Sequence, residues 1–316
     1  MCVKPLVIIT GPTAVGKTAT SVELAKRING EIISADSIQV YKYLDIGSAK
    51  VTKEEMDGVR HYLIDEFEPD EEFDITVFKN KALEYIDKIY AKGKVPIIAG
   101  GTGFYIQSVL FDIKFDDAGA DYDYRRELEE LCKKEGPEYL HNLLRKIDSK
   151  SAEIIHYNNT KRVIRALEYY KATGNPISEH NEEQRKNESP YNFIYFVLND
   201  DREKLYERIN KRVDIMVEQG LFEEVGNLIK MGYSSELNSM QGIGYREVFD
   251  YFAGKMTKEE TVEKIKLNTR HFAKRQLTWF KREKSVTMVD IGDFDYDREK
   301  ILSYMIQLLK DKQIIL

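Results

Sequence analysis

Short apolar runs alternate with longer amphipathic segments through the N-terminal part of the chain. Runs of this length that are rich in β-branched residues are typical of strands buried in a parallel sheet. The predicted strands are residues 3–10, 31–35 and 95–99. Two intervening segments repeat apolar residues at helical spacing, and a glycine after each is expected to stop the helix. These helices are residues 18–29 before Gly30 and residues 75–92 before Gly93. The order predicts right-handed strand–helix–strand units and an α/β fold.

The pattern changes in the middle of the chain. From about residue 115 to residue 190 the strand pattern stops, and charged amphipathic helices are predicted instead. They cover residues 124–134, 138–147 and 159–173, the last ending at Gly174. The strand pattern then returns. The later elements are a strand at 193–198, a helix capped by Asp200 or Asp201 and running to Gln219 before Gly220, a helix at 257–283, a strand at 286–291 and a helix at 297–310.

A glycine-rich motif joins the first predicted strand to the first predicted helix. Its residues fit G-x-x-x-x-G-K-[ST] and are Gly11, Pro12, Thr13, Ala14, Val15, Gly16, Lys17 and Thr18. Backbone N–H groups of such a turn converge on a phosphate, Lys17 adds a positive charge, and the Thr18 hydroxyl can hold Mg²⁺. We therefore predict a P-loop NTPase-like parallel sheet flanked by helices, formed by residues 1–114 and 191–316. Residues 115–190 are predicted to be an all-helical insertion domain.

Composition indicates an ordinary globular protein. The 316 residues are 42% hydrophobic and contain no long uncharged apolar run, and the chain begins directly with a strand pattern, so neither a transmembrane helix nor a signal peptide is expected. The two cysteines, Cys2 and Cys132, lack the spacing of a metal site and favour a reducing, cytoplasmic compartment. The net charge of −6 argues against indiscriminate nucleic-acid binding.

Two further loops follow predicted strands. Asp36 comes after the second strand, and Gly100-Gly101-Thr102-Gly103 forms an expected flexible loop after the third. Because the carboxyl ends of parallel strands meet at one edge of the sheet, we expect both loops to converge with the phosphate loop on one site. The residues alone leave alternatives: Asp36 could be a magnesium ligand or a helix cap, and residues 100–105 could be a structural turn.

Basic residues concentrate on three predicted helices. Arg208, Lys211 and Arg212 could reach a phosphate or form a solvated face, and Lys161, Arg162 and Arg165 lie within about one helical turn. Residues 266–284 interleave cations with aromatic residues and contain almost no acidic residue. That combination is typical of an RNA-binding stripe, whereas the alternative is a basic surface helix with aromatic residues in the core.

Taken together, these residues resemble the tRNA dimethylallyltransferase family, also called isopentenyl-tRNA transferases. The resemblance covers nearly the whole chain and rests on motifs that occur in the family's order: GPTAVGKT at 11–18, DSIQVY with DIGSAK at 36–50, RHYLID at 60–65, GGTGFY at 100–105, RVIRALE at 162–168, QGIGYRE at 241–247 and TRHFAKRQLTWFKR at 269–282. Val15, Ser48 and Phe104 stand where Ser, Thr and Leu are common. Eukaryotic members carry a Cys/His zinc finger after these motifs. This sequence shows no such motif, and in that respect it resembles the shorter bacterial members.

The resemblance implies a reaction. A dimethylallyl group would pass from dimethylallyl diphosphate to N6 of the adenosine 3′ of the anticodon, position 37 of tRNAs that read codons starting with U, and diphosphate would leave. Asp36 would be the general base, Thr102 would bond near the departing oxygen, and Arg212 and the P-loop with Mg²⁺ on Thr18 would stabilise the diphosphate.

The resemblance also implies a set of residues that contact the tRNA. They are Asp36, Ser37, Ile38, Gln39, Thr102, Arg125, Lys161, Arg162, Arg165, Gln241, Gly244, Tyr245, Arg246, Lys274, Arg275, Gln276, Thr278, Trp279 and Arg282. The implied partners are the tRNA anticodon stem-loop and dimethylallyl diphosphate, with Mg²⁺ as cofactor, no membrane, and a monomeric protein. The insertion domain would contact the anticodon arm.

Three rival interpretations use the same residues. A P-loop small-molecule kinase would bind ATP in the loop and use Asp36 for Mg²⁺ or for the acceptor hydroxyl. An adenylate dimethylallyltransferase would use free AMP or ATP as acceptor. A non-catalytic RNA-binding protein would keep the loop only as a remnant.

Overall fold

The structure is a computed structural model that describes residues 4–115, 122–184, 186–283 and 285–315. The chain forms two compact units, and the insertion interrupts the first. The first unit comprises Met1–Leu110 and Pro190–Leu316, and the second comprises Phe111–Ser189. The divide falls a few residues from the boundaries expected from the sequence. The roles expected for the two units remain predictions.

The first unit is built on a six-stranded sheet. Its strands are β1 (Lys4–Thr10), β2 (Gly30–Ala35), β3 (His61–Tyr62), β4 (Val95–Gly100), β5 (Tyr191–Asn199) and β6 (Val286–Asp290). All pairs are parallel, in the order β3-β2-β4-β1-β5-β6. Ile8 of β1 pairs with Ile98 and Tyr195 on its two sides, and all three are essentially inaccessible to solvent. Apolar residues occur consecutively in β1 because helices cover both faces of such a sheet.

Helices cover the sheet and form the insertion. Before the insertion they are α1 (Lys17–Arg27), α2 (Lys53–Met56), α3 (Ile75–Ala91) and α4 (Gly103–Leu110). The second unit contains α5 (Tyr122–Glu135), α6 (Pro137–Ile147), α7 (Ser149–Ile154), α8 (Thr160–Thr173) and α9 (Ile177–Gln184). After it follow α10 (Arg202–Glu218), α11 (Leu221–Lys230), α12 (Tyr245–Phe252), α13 (Lys258–Phe280) and α14 (Arg298–Asp311). The predicted α/β class with a parallel sheet is confirmed.

Two predictions at glycines differ from the structure. Gly30 does not stop α1; Asn29 takes the left-handed backbone (φ 52°), and Gly30 begins β2. A Cβ on Gly30 would lie 2.8 Å from Ile97 Cδ1, so the glycine permits close strand packing. The expected flexible loop at residues 100–103 is also short, because Gly100 ends β4 and Gly103 begins α4.

Side-chain caps begin two of the helices after the insertion. Asp201, and not Asp200, caps α10, because its carboxylate accepts hydrogen bonds from the N–H groups of Glu203 and Lys204. Thr257 caps α13 through a reciprocal capping box with Glu260. The short strand β3 and the helices α2, α4, α7, α9, α11 and α12 were not predicted. Each of these helices is ten residues or shorter, and at that length periodicity alone does not identify a helix securely.

The second unit has a helical core of its own. Leu140, Leu144, Val163 and Leu167 are buried together between α6 and α8. None of the helices in the described ranges of the whole chain combines the length and the apolar character needed to cross a bilayer.

Candidate active site

A cavity of about 420 Å³ lies where the loops after β1, β2 and β4 meet in the first unit. Its wall includes the phosphate loop from Thr13 to Thr18, Asp36 after β2, and Gly100 at the end of β4. The cavity is also lined by the face of α10 that carries Arg208, Lys211 and Arg212. The structure therefore brings together three groups of residues that the sequence placed far apart.

The phosphate loop has the backbone that its glycines permit. Gly11 and Gly16 have φ values of 145° and 99°, and Gly16 directly precedes α1. A Cβ on Gly11 would lie 2.3 Å from the carbonyl oxygen of Leu198, so a larger residue would collide with β5. The first N–H groups of α1 have no helical partner, and they are placed beside the cavity.

Lys17 is the cation at the bottom of this loop. Its Nζ donates hydrogen bonds to the carbonyl oxygens of Gly11 and Pro12, at 3.1 and 2.9 Å. Burial of the ammonium group, with a smaller contribution from neighbouring Arg212, lowers the pKa of Lys17 to about 8, and Asp36 partly opposes that shift. The site thus holds a positive charge that an anionic ligand would stabilise.

Helix α10 supplies a second group of cations. Burial lowers the pKa of Arg212, while the carboxylates of Glu55 and Asp36 act against that effect. Arg208 forms an ion pair with Asp200, whose side chain is fully buried. Within the described residues, Nε of Arg208 is buried without a hydrogen-bond partner. The spacing of the three cations could not tell a phosphate-binding face from a solvated one, because all three lie on one side of the helix.

Asp36 shapes the turn that follows β2. Its Oδ1 accepts hydrogen bonds from the N–H groups of Ile38 and Gln39, at 2.9 and 3.3 Å. The side chain therefore caps a turn rather than a helix, and it also lines the cavity. Both backbone bonds end on Oδ1, so Oδ2 is the oxygen left for a ligand. Gln39 holds the same loop closed by donating to the carbonyls of Ser48 and Ala49.

Gln276 links two loops of the site. Its Oε1 accepts from the N–H of Thr13 at 2.9 Å, and its Nε2 donates to the carbonyl oxygen of Gly101 at 3.0 Å. The side chain is only 6% exposed. The amide that the family resemblance assigns to tRNA is therefore already engaged inside the protein. Thr102 donates its N–H to the carbonyl of Ala35, and among the described residues it is not part of the cavity wall.

The C-terminal half of α13 separates into two faces. The exposed face contains residues that the resemblance assigns to tRNA, namely Lys274, Arg275, Thr278, Trp279 and Arg282, the last lying just past the helix end. The opposite face contains Ala273 and Phe280, which are fully buried. The aromatic residues of this helix therefore divide between the two interpretations. Phe280 belongs to the core, as in a basic surface helix, whereas Trp279 is 38% exposed, as an RNA-binding stripe would require.

The central residues of the QGIGYRE motif pack inside the protein. Tyr245 is fully buried, and its hydroxyl donates to Glu224, so the side chain is closed to a direct RNA contact in this structure. Its ring packs on Gly47, where a Cβ would lie 2.6 Å from it. Gly244 is buried with φ 100°, whereas Gln241 and Arg246 are exposed.

Two charged residues that sequence reasoning missed hold the loop after Asp36. Glu224 of α11 accepts hydrogen bonds from the N–H groups of residues 45–47. The buried ammonium of Lys50 contacts the carbonyl of Tyr41 and the carboxylates of Asp45 and Asp65. Neither has a local sequence signal, since each partner is distant in the chain or part of an irregular loop.

Four residues assigned to tRNA belong to the second unit. Lys161, Arg162 and Arg165 are exposed on α8. Arg125 of α5 forms a bidentate ion pair with the buried Glu168, at 2.7 and 3.1 Å. Ser37 and Ile38, from the first unit, are half-buried in the turn after Asp36.

Comparison with known proteins agrees with these features. The sequence profile of the IPP transferase family matches residues 39–283. A curated protein of Lachnoclostridium phytofermentans named tRNA dimethylallyltransferase is 60% identical over 99% of both chains. Another of that name from Acetivibrio thermocellus is 54% identical over 94% of this chain and 95% of its own length.

Solved structures give the same result. A full-length tRNA isopentenylpyrophosphate transferase from Bacillus halodurans shares 46% identity over 98% of both chains, with a TM-score of 0.74. A eukaryotic dimethylallyltransferase described as acting on tRNA is 29% identical, with a TM-score of 0.83 over 98% of this chain and 79% of that protein. The chain therefore belongs to the IPP transferase family and is a prenyltransferase of that family.

Proposed function

We propose that the chain transfers a dimethylallyl group from dimethylallyl diphosphate to N6 of the adenosine 3′ of the anticodon in tRNA. The observation that carries this proposal is one cavity that combines a phosphate loop, the cations Lys17 and Arg212, and the carboxylate of Asp36. The names of the curated relatives, tRNA dimethylallyltransferase, support the same reaction.

The phosphate loop and α10 would hold the diphosphate. The N–H groups of the loop, the Lys17 ammonium and the Arg212 guanidinium line the same cavity and would contact one bound anion. Heterolysis of the allylic C–O bond leaves its electron pair on the diphosphate oxygen, so positive groups that stabilise this charge lower the barrier. The lowered pKa values of Lys17 and Arg212 support this role, because both cations lack full solvation until an anion binds.

The donor set of the cavity fits Mg²⁺. Mg²⁺ usually keeps several waters and takes one or two protein oxygens together with substrate phosphates. The Thr18 hydroxyl lines the cavity with the carboxylate of Asp36, and the described residues contain no cluster of three or more His, Cys, Asp or Glu side chains that could hold an ion alone. Bound there with the diphosphate, Mg²⁺ would add charge neutralisation to that of Lys17 and Arg212.

Asp36 would be the general base. The N6 lone pair forms the new C–N bond, and the amine must lose a proton as it does so. Asp36 Oδ1 is held by two backbone N–H groups, which fixes the carboxylate while Oδ2 receives the proton. Water must also be excluded from the reacting cationic carbon. An adenine that leaves its stack and enters the cavity would exclude it.

The exposed face of α13 would receive the tRNA. It presents Lys274, Arg275 and Arg282 to solvent. Gln276 joins the same helix to both Thr13 and Gly101. Phosphate contacts by these cations would position the RNA beside the diphosphate site.

The test is incubation with radiolabelled dimethylallyl diphosphate and Mg²⁺, with unmodified tRNA, AMP or ATP supplied as separate acceptors. We expect label only in tRNA, at the adenosine beside the anticodon, and none in a transcript with guanosine at that position. Label in AMP or ATP would replace the proposal with an adenylate dimethylallyltransferase. ATP turnover without any prenyl transfer would replace it with a kinase.

A further inference from the structure

Two large aromatic side chains meet on the surface beside the candidate site. Phe104 of α4 is 44% exposed and Trp279 of α13 is 38% exposed. Their ring centroids are 6.2 Å apart with an interplanar angle of 67°, an edge-to-face pair. We propose that this pair is a stacking platform for one nucleobase that flanks the reacting adenosine, an assignment that rests on the proposed tRNA substrate.

The platform is attached to the loop that closes β4. Trp279 lies directly on Gly103, where a Cβ would be 2.2 Å from Nε1 and 2.4 Å from Cδ1 of the indole. One turn earlier, Gln276 donates to the carbonyl of Gly101. The Nε1 and Cδ1 side of the indole is therefore positioned against backbone, while 38% of the residue remains exposed.

The distance from the cavity suits a neighbouring nucleotide. Gly100 lines the cavity, and Phe104 follows four residues later. Four residues span at most about 14 Å, so the platform lies within a few nucleotide spacings of the reacting centre. An adenine drawn into the cavity leaves its neighbours without a stacking partner, and an exposed aromatic face can replace that partner.

Charge selects RNA as the occupant. Arg275 stands one turn before Trp279 on α13, so these two side chains lie on one side of the helix, and Arg282 follows just past the helix end; both arginines are exposed. An apolar protein surface would gain nothing from these cations, whereas a nucleotide offers a phosphate for an arginine and a π-face for the ring. Phe104 also provides an aromatic ring where leucine is common in the family.

A double-mutant cycle between protein and RNA tests the proposal. The ligands are an anticodon stem-loop and two variants with an abasic site on the 5′ or the 3′ side of the target adenosine. We expect one abasic site to weaken binding to the unaltered protein about fivefold to a hundredfold. Phe104→Ala is expected to weaken binding of the intact RNA by a similar factor and to cause no further loss with that abasic RNA.

Two matched variants separate stacking from packing. Phe104→Leu keeps the apolar volume but removes the aromatic face, so it should lose most of the same affinity. Tyr304→Ala removes a 39% exposed ring from α14 and should bind every RNA like the unaltered protein. Fully additive losses at both abasic positions, or full affinity in Phe104→Leu, would overturn the platform. That failure would leave prenyl transfer to intact tRNA detectable, whereas failure of the proposed function would leave no RNA labelled at all.

Discussion

The phosphate loop and the exposed face of α13, which we propose bind the diphosphate and the tRNA backbone, present their binding groups by different means. In the phosphate loop, the backbone geometry of the glycines fixes the N–H groups. Lys17 is half-buried, and its ammonium donates hydrogen bonds to carbonyl oxygens of the loop. On α13 the cations are separate exposed side chains. Exposed cations in water interact weakly and are screened by salt, whereas buried ones interact strongly. Single changes in the cavity should therefore affect chemistry strongly, and single changes on α13 should affect RNA affinity modestly.

The largest effect is expected at Asp36. Asp36→Asn keeps an oxygen that can accept the N–H groups of Ile38 and Gln39, so the turn should survive while the base is lost. We expect single-turnover transfer to fall about 10²-fold or more, with tRNA affinity unchanged. Rapid-quench assays and filter binding measure the two quantities. Asp36→Ala removes the turn as well and serves as the comparison; an equal loss of tRNA affinity in Asp36→Asn would rule out the base assignment.

The next effect is a pH dependence that belongs to Lys17. Below its pKa of about 8 the free enzyme carries the ammonium that binds diphosphate, and above it the charge is lost. We expect kcat/KM for the prenyl donor to fall about tenfold per pH unit above that value, whereas kcat stays level because bound diphosphate raises the pKa of Lys17. Lys17→Arg stays charged and should lose the pH dependence. A fall of the same size in Lys17→Arg would assign it to another group.

A smaller effect is expected at Gln276, which connects the two regions. Gln276→Met fills similar volume but makes neither hydrogen bond, and two such bonds contribute about 1 kcal/mol each. We expect KM for dimethylallyl diphosphate to rise by up to about thirtyfold, with little change in tRNA affinity. Gln276→Glu keeps the acceptor for Thr13 but sets a carboxylate oxygen against the carbonyl oxygen of Gly101, so it should recover none of that loss. A change confined to tRNA affinity would instead support the RNA contact that the family resemblance assigns.

The smallest effect is expected on the exposed face of α13. Arg275→Gln removes one exposed cation, whose guanidinium lies over the ring of Phe272, so tRNA affinity should fall only a few-fold, with kcat at saturating tRNA unchanged. The dependence of log affinity on log salt should become shallower by about one. Lys230, an exposed cation at the end of α11, gives the control variant Lys230→Gln. An unchanged salt dependence would remove Arg275 from the interface.

The sequence by itself determined the features that depend on neighbours in the chain. The phosphate loop, the buried strands, the cap at Thr257 and the amphipathic helices all follow from local backbone geometry and periodicity. The order of strand and helix also predicted that Asp36 and Gly100 would approach the loop, because parallel strands end at one edge of the sheet.

Tertiary structure alone decided which polar side chains make contacts across long distances in the chain. It buried Tyr245 against Gly47 and placed Gln276 between Thr13 and Gly101. A motif specifies residue types, but burial and hydrogen-bond partners depend on elements that are hundreds of residues apart in the chain, as Thr13 and Gln276 are. For the same physical reason, Trp279 and Phe280 look alike in sequence, while one lies on the surface and the other in the core.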